Sequence, residues 1–292
     1  MSMIVVSGDG RLLDPDVPLL HADDLAALRG DGVFETLLVR DARALLVEPH
    51  LDRLAEGAAA LALPAPDVAA LAHAIDVAAR EWADAGESRI GGAGEGMLRV
   101  AYSRGRESAP DGPPTAYVTV GPVAARVAQV RRAGISAITL DRGFDVTAAA
   151  AAPWLLAGIK ALAYAGNAAA LRHAVALGAD DALFLGADGT VLEGPRSSVV
   201  IERDGALLTP PRSLPILPGT TVAALFAHAA AAGIETAEER FTVDELHDAD
   251  GVWLLSSVTL AAHVNTLDGA ALASSSTVDV PGLVEAAVSV AD

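Results

Sequence analysis

The chain has 292 residues, and its hydrophobic fraction of 52% is ample for a buried core in one large or two medium domains. Its formal net charge of −18 repels polyanions, so nucleic acid and anionic membrane surfaces are not expected partners, and an anionic substrate must meet a local arginine cluster. Cysteine is absent, which excludes disulfides, zinc-cysteine sites and thiol catalysis.

The N-terminal part predicts a small α/β domain over residues 1–122. The start, MSMIVVSGDG, lacks the basic and apolar regions of a signal peptide, which favours a cytoplasmic location. Within it, MIVVSG predicts a strand. The apolar segments 33–40 and 44–48 then predict the two arms of a β-hairpin around DAR.

Two helices and two strands complete this predicted domain. The first helix is expected in PHLDRLAEGAAALAL, where one face carries the apolar side chains of Leu51, Leu54, Ala58 and Leu61. The second is expected over 66–86, with Gly86 just past its end. Strands are predicted in GMLRVAYSRG (96–105) and TAYVTVGPV (115–123), on either side of a segment rich in Gly, Pro and Ser.

The C-terminal part predicts a larger domain over 135–292, after an interdomain linker at 123–134. The apolar run 147–159 is too short to span a bilayer and contains proline, so no membrane helix is expected. After a strand in ISAITLDR, a helix is expected to open around Lys160 and to run to Ala176.

Further elements follow in the predicted C-terminal domain. A meander is expected from DALFLG, TVLEG and SVVIERDGALLTP, with tight Asp-Gly turns. LPGTTVAALFAHAAAAG (217–233) predicts a helix capped by Gly219 or Thr220 and ended by Gly233, and GVWLLSS (251–257) predicts a strand.

Lys160 is the only lysine of the chain. A lysine amine can lose its proton and attack a carbonyl, whereas a guanidinium stays charged. Its neighbours Gly158, Ile159, Ala161 and Leu162 are apolar, and a desolvated lysine can form a Schiff base with a substrate carbonyl or with pyridoxal phosphate. The alternative is a surface lysine at the start of a helix.

A pyridoxal cofactor needs partners for its phosphate and its ring nitrogen. LPGTTV supplies a helix N-terminus with Gly219, Thr220 and Thr221, although the same residues form an ordinary turn and cap. Arg53 and Glu193 are the candidate charged partners, and each could instead be a solvated surface charge. His50, His173 and His263 show no metal-ligand spacing, so we expect them to be structural and expect no metal site.

Arginines near the end of the strand at 96–105 are candidates for binding a substrate carboxylate. We favour Arg104, with Arg99 and Arg106 as alternatives, although unpaired surface arginines are common. Phe34 and Tyr102 are candidates for shaping the substrate side, while an aromatic residue in a strand is more often part of the core.

Taken together and in this order, these motifs resemble the fold type IV, or class IV aminotransferase-like, pyridoxal-phosphate enzymes over nearly the whole chain. The resemblance rests on segments at specific separations: GDGVFETLLV (30–39), EPHLDRL (48–54), IKALAYAGN (159–167), GADDALFLGADGTVLEGPRSSVVIERDGALLTPP (178–211) and ILPGTTV (216–222). It implies a two-domain α/β (α+β type) fold, with a small N-terminal α/β domain and a larger C-terminal domain that has a mixed sheet or barrel-like core. It also implies a cofactor cleft between the domains and a homodimer.

The same resemblance implies roles for individual residues. Lys160 would form the Schiff base with pyridoxal 5'-phosphate, and Glu193 would hold the pyridinium nitrogen. Arg53 and the amides of Thr220 and Thr221 would bind the phosphate. Leu217 would pack on the cofactor ring, and Ser256 and Ser257 would add polar contacts.

Within the family, the sequence favours a 4-amino-4-deoxychorismate lyase, which releases pyruvate and yields 4-aminobenzoate for folate. The YSRG turn at 102–105 and the SSVT segment are more similar to lyase members than to branched-chain transaminases. Two residues depart from the pattern of the lyases, since Ser257 and Ala163 stand where asparagine is common. The alternative is a transaminase acting on D-amino or branched-chain amino acids, and a catalytically silent α/β module is the hypothesis from another class.

Overall fold

Residues 3–85 and 94–290 are described by a computed structural model, in which they divide into two units. The first unit contains the residues up to Ala125 together with Ile159–Tyr164. The second contains Arg126–Gly158 together with the residues from Ala165 on. The mixed α/β class predicted from the sequence is confirmed.

An antiparallel six-stranded sheet, ordered β2-β1-β6-β5-β3-β4, forms the centre of the first unit. Its strands are β1 (Ile4–Ser7), β2 (Leu12–Leu13), β3 (Gly32–Arg40), β4 (Arg43–Ala44), β5 (Gly96–Ser103) and β6 (Thr115–Pro122). Three helices accompany it: α1 (Leu25–Arg29), α2 (Val47–Ala60) and α3 (Val68–Asp84).

Apolar stripes on α2 and α3 pack against this sheet. Leu51, Leu54 and Ala58 of α2 are buried at helical spacing, as predicted, and Leu71, Ile75, Ala78 and Trp82 of α3 are buried in the same core. The predicted C-terminal Gly86 of α3 lies outside the described residues. Burial of these side chains is what holds the helices on the sheet.

The first hairpin is shorter than predicted. β3 and β4 pair through Val39 and Ala44, and the turn residues Asp41 and Ala42 both have positive φ, as a tight turn between twisted strands requires. The second arm was predicted to reach residue 48, which is wrong: Leu46 adopts a left-handed conformation and α2 begins at Val47. Two residues of β4 therefore complete the arm.

Lys160 does not open a helix, contrary to the prediction. The helix begins only at Ala165, and residues 159–164 run beside β3 instead. Phe34 N–H donates to Lys160 O at 3.0 Å, and Leu162 N–H donates to Gly32 O at 2.8 Å. Since β4 pairs only with the other end of β3, the backbone groups of Gly32 and Phe34 on this edge are available for such pairing, which competes with helical hydrogen bonds.

A mixed eight-stranded sheet forms the second unit, with the path β11-β10-β9-β12-β13-β7-β8 and β14 paired to β13. Its strands are β7 (Ile135–Asp141), β8 (Asp181–Leu185), β9 (Ser198–Arg203), β10 (Ala206–Thr209), β11 (Thr236–Glu238), β12 (Gly251–Ser256), β13 (Leu260–Leu267) and β14 (Ala270–Ala271). Its helices are α4 (Arg126–Ala133), α5 (Val146–Ala150), α6 (Ala165–Ala176), α7 (Thr220–Ala231), α8 (Val243–Asp248) and α9 (Val280–Val290), with a 3₁₀ turn at Pro153–Leu155.

The predicted meander is confirmed only in part, because TVLEG lies beside β8 through backbone hydrogen bonds but the sheet path does not run from β8 to β9. β8 pairs in parallel with β7 at the sheet edge, while β9 pairs with β10 and β12. TVLEG forms only isolated bridges rather than a strand, although Leu192 N–H and Phe184 O are hydrogen-bonded. The hairpin between β9 and β10 has its predicted Asp-Gly turn, with positive φ at Asp204 and Gly205.

The segment predicted as an interdomain linker contains the helix α4. Residues 159–164, which the sequence placed in the C-terminal domain, belong to the first unit. The predicted domain limits remain a prediction. Among the helices of the described segments, none combines the length and the apolar character needed to cross a bilayer.

Candidate functional site

Lys160 lies beside the ring of Phe34 in the first unit. Its Nζ is 4.6 Å from the ring centroid, within the range of a cation–π contact. Tyr164 meets the same ring edge to face, with the two centroids 5.4 Å apart. The backbone pairing with β3 fixes the Lys160 main chain, so the side chain starts from a rigid support.

A buried charged cluster lies in the same unit and consists of Glu35 on β3 with His50 and Arg53 on α2. Arg53 donates from Nε to Glu35 Oε1 and from Nη2 to Glu35 Oε2, both at 2.7 Å. His50 Nδ1 is 2.7 Å from Glu35 Oε2, and since an ionised carboxylate only accepts, the ring nitrogen is the donor. The fork of two hydrogen bonds sets the plane of the Arg53 guanidinium.

Charge and burial oppose each other at Glu35. Desolvation raises the pKa of this carboxyl group, but the Arg53 charge and the hydrogen bonds from His50 and Arg53 outweigh it and lower the pKa to about 2. Burial lowers the pKa of His50, and the neighbouring cations Arg53 and Lys160 lower it further. The cluster therefore holds an ionised glutamate and a neutral histidine at pH 7.

Stability of the protein is expected to fall on acidification because of this cluster. The pKa of Glu35 is depressed in the folded state, so its contribution is complete above the unfolded value of 4.5 and is lost as the pH falls toward 2. The depressed pKa of His50 acts in the same direction below 6.5. Urea unfolding followed by circular dichroism, from pH 7 down to about pH 3.5, measures this dependence.

Glu35→Gln is the control for that measurement. The variant is expected to be less stable than the parent at pH 7. The difference should narrow as the pH falls below 4.5, since the unfolded parent then takes up a proton at Glu35 that the folded parent does not bind until about pH 2. Parallel curves over the whole range would contradict the assignment of this acid sensitivity to Glu35.

Glu193 is held by two donors in the second unit. Arg142 donates from Nη1 to Glu193 Oε1 at 3.0 Å, and the Leu217 amide donates to Oε2 at 2.9 Å. The Glu193 side chain is 10% exposed. Its backbone carbonyl accepts from Phe184 N–H, which ties the residue to β8. Glu193 is thus an oriented carboxylate rather than a solvated loop charge.

The N-terminus of α7 has features that could hold an anion. Gly219 is the cap residue, and a Cβ there would lie 2.4 Å from Ser198 Oγ, so the close approach requires glycine. Thr220 and Thr221 are buried in the first turn, where helix amides point outward. Within the described segments, the buried Oγ1 of Thr221 meets no hydrogen-bond partner, although buried hydroxyls almost always have one.

Ser256 and Ser257 lie where β12 ends, and both are half-buried. Ser256 Oγ accepts from Thr259 N–H at 3.3 Å, and Arg131 donates to the carbonyls of Val258 and Thr259. These bonds hold the SSVT turn in place. A contact from either serine to the cofactor stays a prediction.

The predicted substrate arginines have protein partners in this structure. Arg104 donates to Asp31 at 2.7 Å and to the Leu61 carbonyl at 2.8 Å, so it joins the end of β5 to the loops around it. Arg106 pairs with Asp23 at 2.9 Å. Arg99 is exposed on β5, where its Nη2 lies 3.8 Å from Met97 Sδ. Binding of a substrate carboxylate by any of them stays a prediction.

The two predicted aromatic residues have different surroundings. Tyr102 is 3% exposed, packs in the core and donates its hydroxyl to Pro64 O, which agrees with the core alternative. Phe34 is half-buried and contacts Lys160, as a residue shaping the reacting side would. His50, expected to be structural, belongs to the charged cluster beside Lys160.

Sequence reasoning missed Glu35 and Arg142. Val33, Glu35 and Leu37 are two positions apart along β3, so their side chains lie on the same buried face. A buried carboxylate requires a partner. That signal, together with the i, i+3 spacing of His50 and Arg53, could have identified the cluster. No comparable signal marks Arg142, because its partner is 51 positions away.

The residues present fit pyridoxal phosphate. The orphaned hydroxyl of Thr221, the glycine cap and the helix N-terminus suit a phosphate, the oriented Glu193 carboxylate suits a ring nitrogen, and Lys160 supplies an amine. Each of these groups of residues is matched to its part of the cofactor by its own local geometry.

Comparison with known proteins defines the class. Residues 32–267 match the family of class IV amino-transferases, and the chain belongs to this family. It is therefore a pyridoxal-phosphate-dependent enzyme with the fold type IV architecture.

Relatives agree with this assignment. A bifunctional aminodeoxychorismate lyase / D-amino acid transaminase of Mycobacterium tuberculosis is 54% identical over 273 residues, which are 91% of this chain and 92% of the relative. The structure of a hypothetical aminotransferase from the same organism in its PLP-bound form is 52% identical, with a TM-score of 0.91 over 98% of both chains. The fold IV transaminase CpuTA1 of Curtobacterium pusillum is 38% identical, with a TM-score of 0.85 over 97% of this chain and 94% of that one.

Proposed function

We propose that the protein is a 4-amino-4-deoxychorismate lyase that eliminates pyruvate and releases 4-aminobenzoate. The observation that carries the proposal is the 54% identity to a relative named for aminodeoxychorismate lyase and D-amino acid transaminase activity. The geometry supports it through Lys160, the one amine side chain of the chain, held beside Phe34.

The proposed roles of the residues follow from their chemistry. Pyridoxal phosphate, when bound, supplies an aldehyde that condenses with amines and a ring that withdraws electrons. Lys160 would attach the cofactor and, once replaced by the substrate amine, would accept the proton from the carbon that bears nitrogen. Glu193 would hold the ring nitrogen and Leu217 would pack on the ring, while Arg53, Thr220 and Thr221 are the proposed phosphate ligands.

The balance of the elimination is simple. Loss of the proton would leave an electron pair on the substrate carbon. These electrons would form the last double bond of the aromatic ring and break the bond to the enolpyruvyl oxygen, and the enolpyruvate that leaves would take up one proton to become pyruvate, which balances the proton removed. Formation of the aromatic ring of 4-aminobenzoate drives the step. No acceptor is consumed, which separates this reaction from transamination.

D-Amino acid transamination is the second candidate, favoured by the second activity in the name of the 54% identical relative. A transaminase returns the proton to the cofactor side and then needs a keto acid to close its cycle. Both activities begin with the same proton removal by Lys160, so one site can support them.

A substrate panel tests these proposals. The protein, incubated with aminodeoxychorismate and no keto acid, is expected to release pyruvate and 4-aminobenzoate in equal amounts. D-Alanine with 2-oxoglutarate tests the second activity, and a branched-chain L-amino acid tests the remaining alternative. Turnover of aminodeoxychorismate only when a keto acid is present would contradict the lyase proposal.

We also propose that the enzyme acts as a cytoplasmic homodimer on a small anionic amine, as its family resemblance implies. Light scattering should then give about twice the chain mass of 29.6 kDa. A species of single-chain mass at micromolar concentration would contradict the dimer.

A further inference from the structure

Arg142 lies directly after β7 and is held on every side. Its backbone N–H donates to Leu185 O at 2.9 Å, and its guanidinium carbon lies 4.4 Å from the centroid of the Phe184 ring. The ring of Phe144 is also within 5.8 Å. The side chain is 17% exposed, so stacking on aromatic rings restricts the guanidinium to one place.

Two elements bring Arg142 and Glu193 together. β7 pairs in parallel with β8, and Phe184 of β8 exchanges backbone hydrogen bonds with the segment that carries Glu193. The ring that supports the arginine and the backbone that supports the glutamate therefore belong to the same residue. Arg142 donates to Oε1 and the Leu217 amide donates to Oε2, so each carboxylate oxygen has a fixed donor.

We propose that Arg142 is a positioning residue that keeps the Glu193 carboxylate ionised and aimed at the ring nitrogen of the cofactor. The proposal rests on the role proposed above for Glu193. A cation at hydrogen-bond distance favours the charged form of a carboxyl group that is nearly buried. Two donors on two oxygens also leave the carboxylate plane no freedom to turn.

A merely structural arginine would join β7 to the loop at 193 without any effect on the ring nitrogen. The two roles differ in one measurable way. If Arg142 acts through Glu193, its loss matters only for a ligand that carries the ring nitrogen. If it acts only as a structural link, its loss weakens the binding of every cofactor analogue alike.

The test measures dissociation constants of pyridoxal phosphate and of its 1-deaza analogue, in which C–H replaces the ring nitrogen. The variants are Arg142→Met, Glu193→Gln and the double variant. Arg203→Met is the matched control, because Arg203 is half-buried and pairs with carboxylates other than Glu193, namely Glu239 and Glu245. Arg142→Met is expected to weaken pyridoxal phosphate binding about tenfold, since a charge-assisted hydrogen bond to the anchoring group is lost.

The remaining expectations are specific. Arg142→Met should bind the deaza analogue as the parent does, and the double variant should match Glu193→Gln. Arg142→Lys keeps the charge and disturbs the packing less, so its affinity for pyridoxal phosphate should lie between those of the parent and Arg142→Met. If Arg142→Met does not fold, Arg142→Lys is measured in its place. Arg203→Met should bind both ligands normally.

The outcomes separate the two proposals. If Glu193→Gln binds pyridoxal phosphate as the parent does, the role of Glu193 fails and this inference fails with it. If Glu193→Gln weakens binding and Arg142→Met does not, the inference alone is overturned. Equal weakening by Arg142→Met for both ligands would likewise overturn it in favour of the structural link.

Discussion

Replacement of Lys160 by arginine is expected to abolish turnover, with a loss of at least about a thousandfold, although the charge is retained. Arginine can keep the cation–π contact with Phe34, but a guanidinium does not lose its proton and so cannot attack the cofactor aldehyde or act as a base. The purified variant should also lack the borohydride-reducible bond to the cofactor that mass spectrometry detects in the parent.

Lys160→Ala is the companion variant. This variant removes both the charge and the amine. An added small primary amine should restore part of its proton-transfer activity. The same amine should restore no activity in Lys160→Arg, because the arginine side chain occupies the space. The matched surface variant Arg80→Met should leave turnover unchanged, because Arg80 forms an exposed ion pair with Asp76 on α3. A parent protein that stays colourless and unmodified with added pyridoxal phosphate would contradict the role proposed for Lys160.

Loss of the buried ion pair in the first unit is expected to have the largest effect on stability. Arg53→Met leaves Glu35 with an uncompensated charge at 0% side-chain exposure, and breaking a buried pair in this way typically costs about 3–5 kcal/mol of the free energy of unfolding. Hydrogen exchange of peptides from β3 and α2 reports the loss in the unit that contains the pair.

The control for this prediction is again Arg80→Met. Its ion pair with Asp76 has side chains 69% and 48% exposed, and the loss should stay within about 1 kcal/mol. The double variant Glu35→Gln with Arg53→Met should be more stable than Arg53→Met alone, since the unpaired charge is gone. Equal stability of Arg53→Met and Arg80→Met would show that the buried pair is not stabilising.

Arg53 has two roles, because it forms the buried ion pair and is also proposed to bind the cofactor phosphate. Glu35 orients the guanidinium through two hydrogen bonds, and His50 fixes the other side of the same carboxylate. Arg53, which is proposed to bind the phosphate, is therefore held in place by the Glu35 carboxylate in the core. This arrangement explains why a strand of the core carries a charge.

Much of the fold was predictable from local pattern. The hydrophobic period of α2 and α3, the Asp-Gly turn between β9 and β10 and the glycine cap of α7 all depend on neighbours in sequence, and all are present. The strand pairing was not predictable in the same way. The sequence predicted a meander in which TVLEG lies between β8 and β9, but it gave no sign that β8 also pairs in parallel with β7, which is distant in sequence.

The residues of the candidate site were likewise predictable from the sequence only in part. Lys160 stood out because no other side chain of the chain carries a primary amine, and Glu193, Thr220 and Thr221 stood out through their motifs. The local conformation of Lys160 was wrong because a helical propensity was overridden by pairing with β3, a contact far away in sequence.

The amino-acid sequence by itself determined the family, the cofactor and the one nucleophilic amine, since these depend on which residue types occur and at what spacing. Only the tertiary structure decided that Glu35 holds Arg53, that Arg142 holds Glu193 and that Thr221 keeps a buried hydroxyl without a partner among the described residues. The physical reason is that a buried charge or hydroxyl is satisfied by whatever the packed chain brings within about 3 Å, and that distance is set by sheet pairing rather than by sequence.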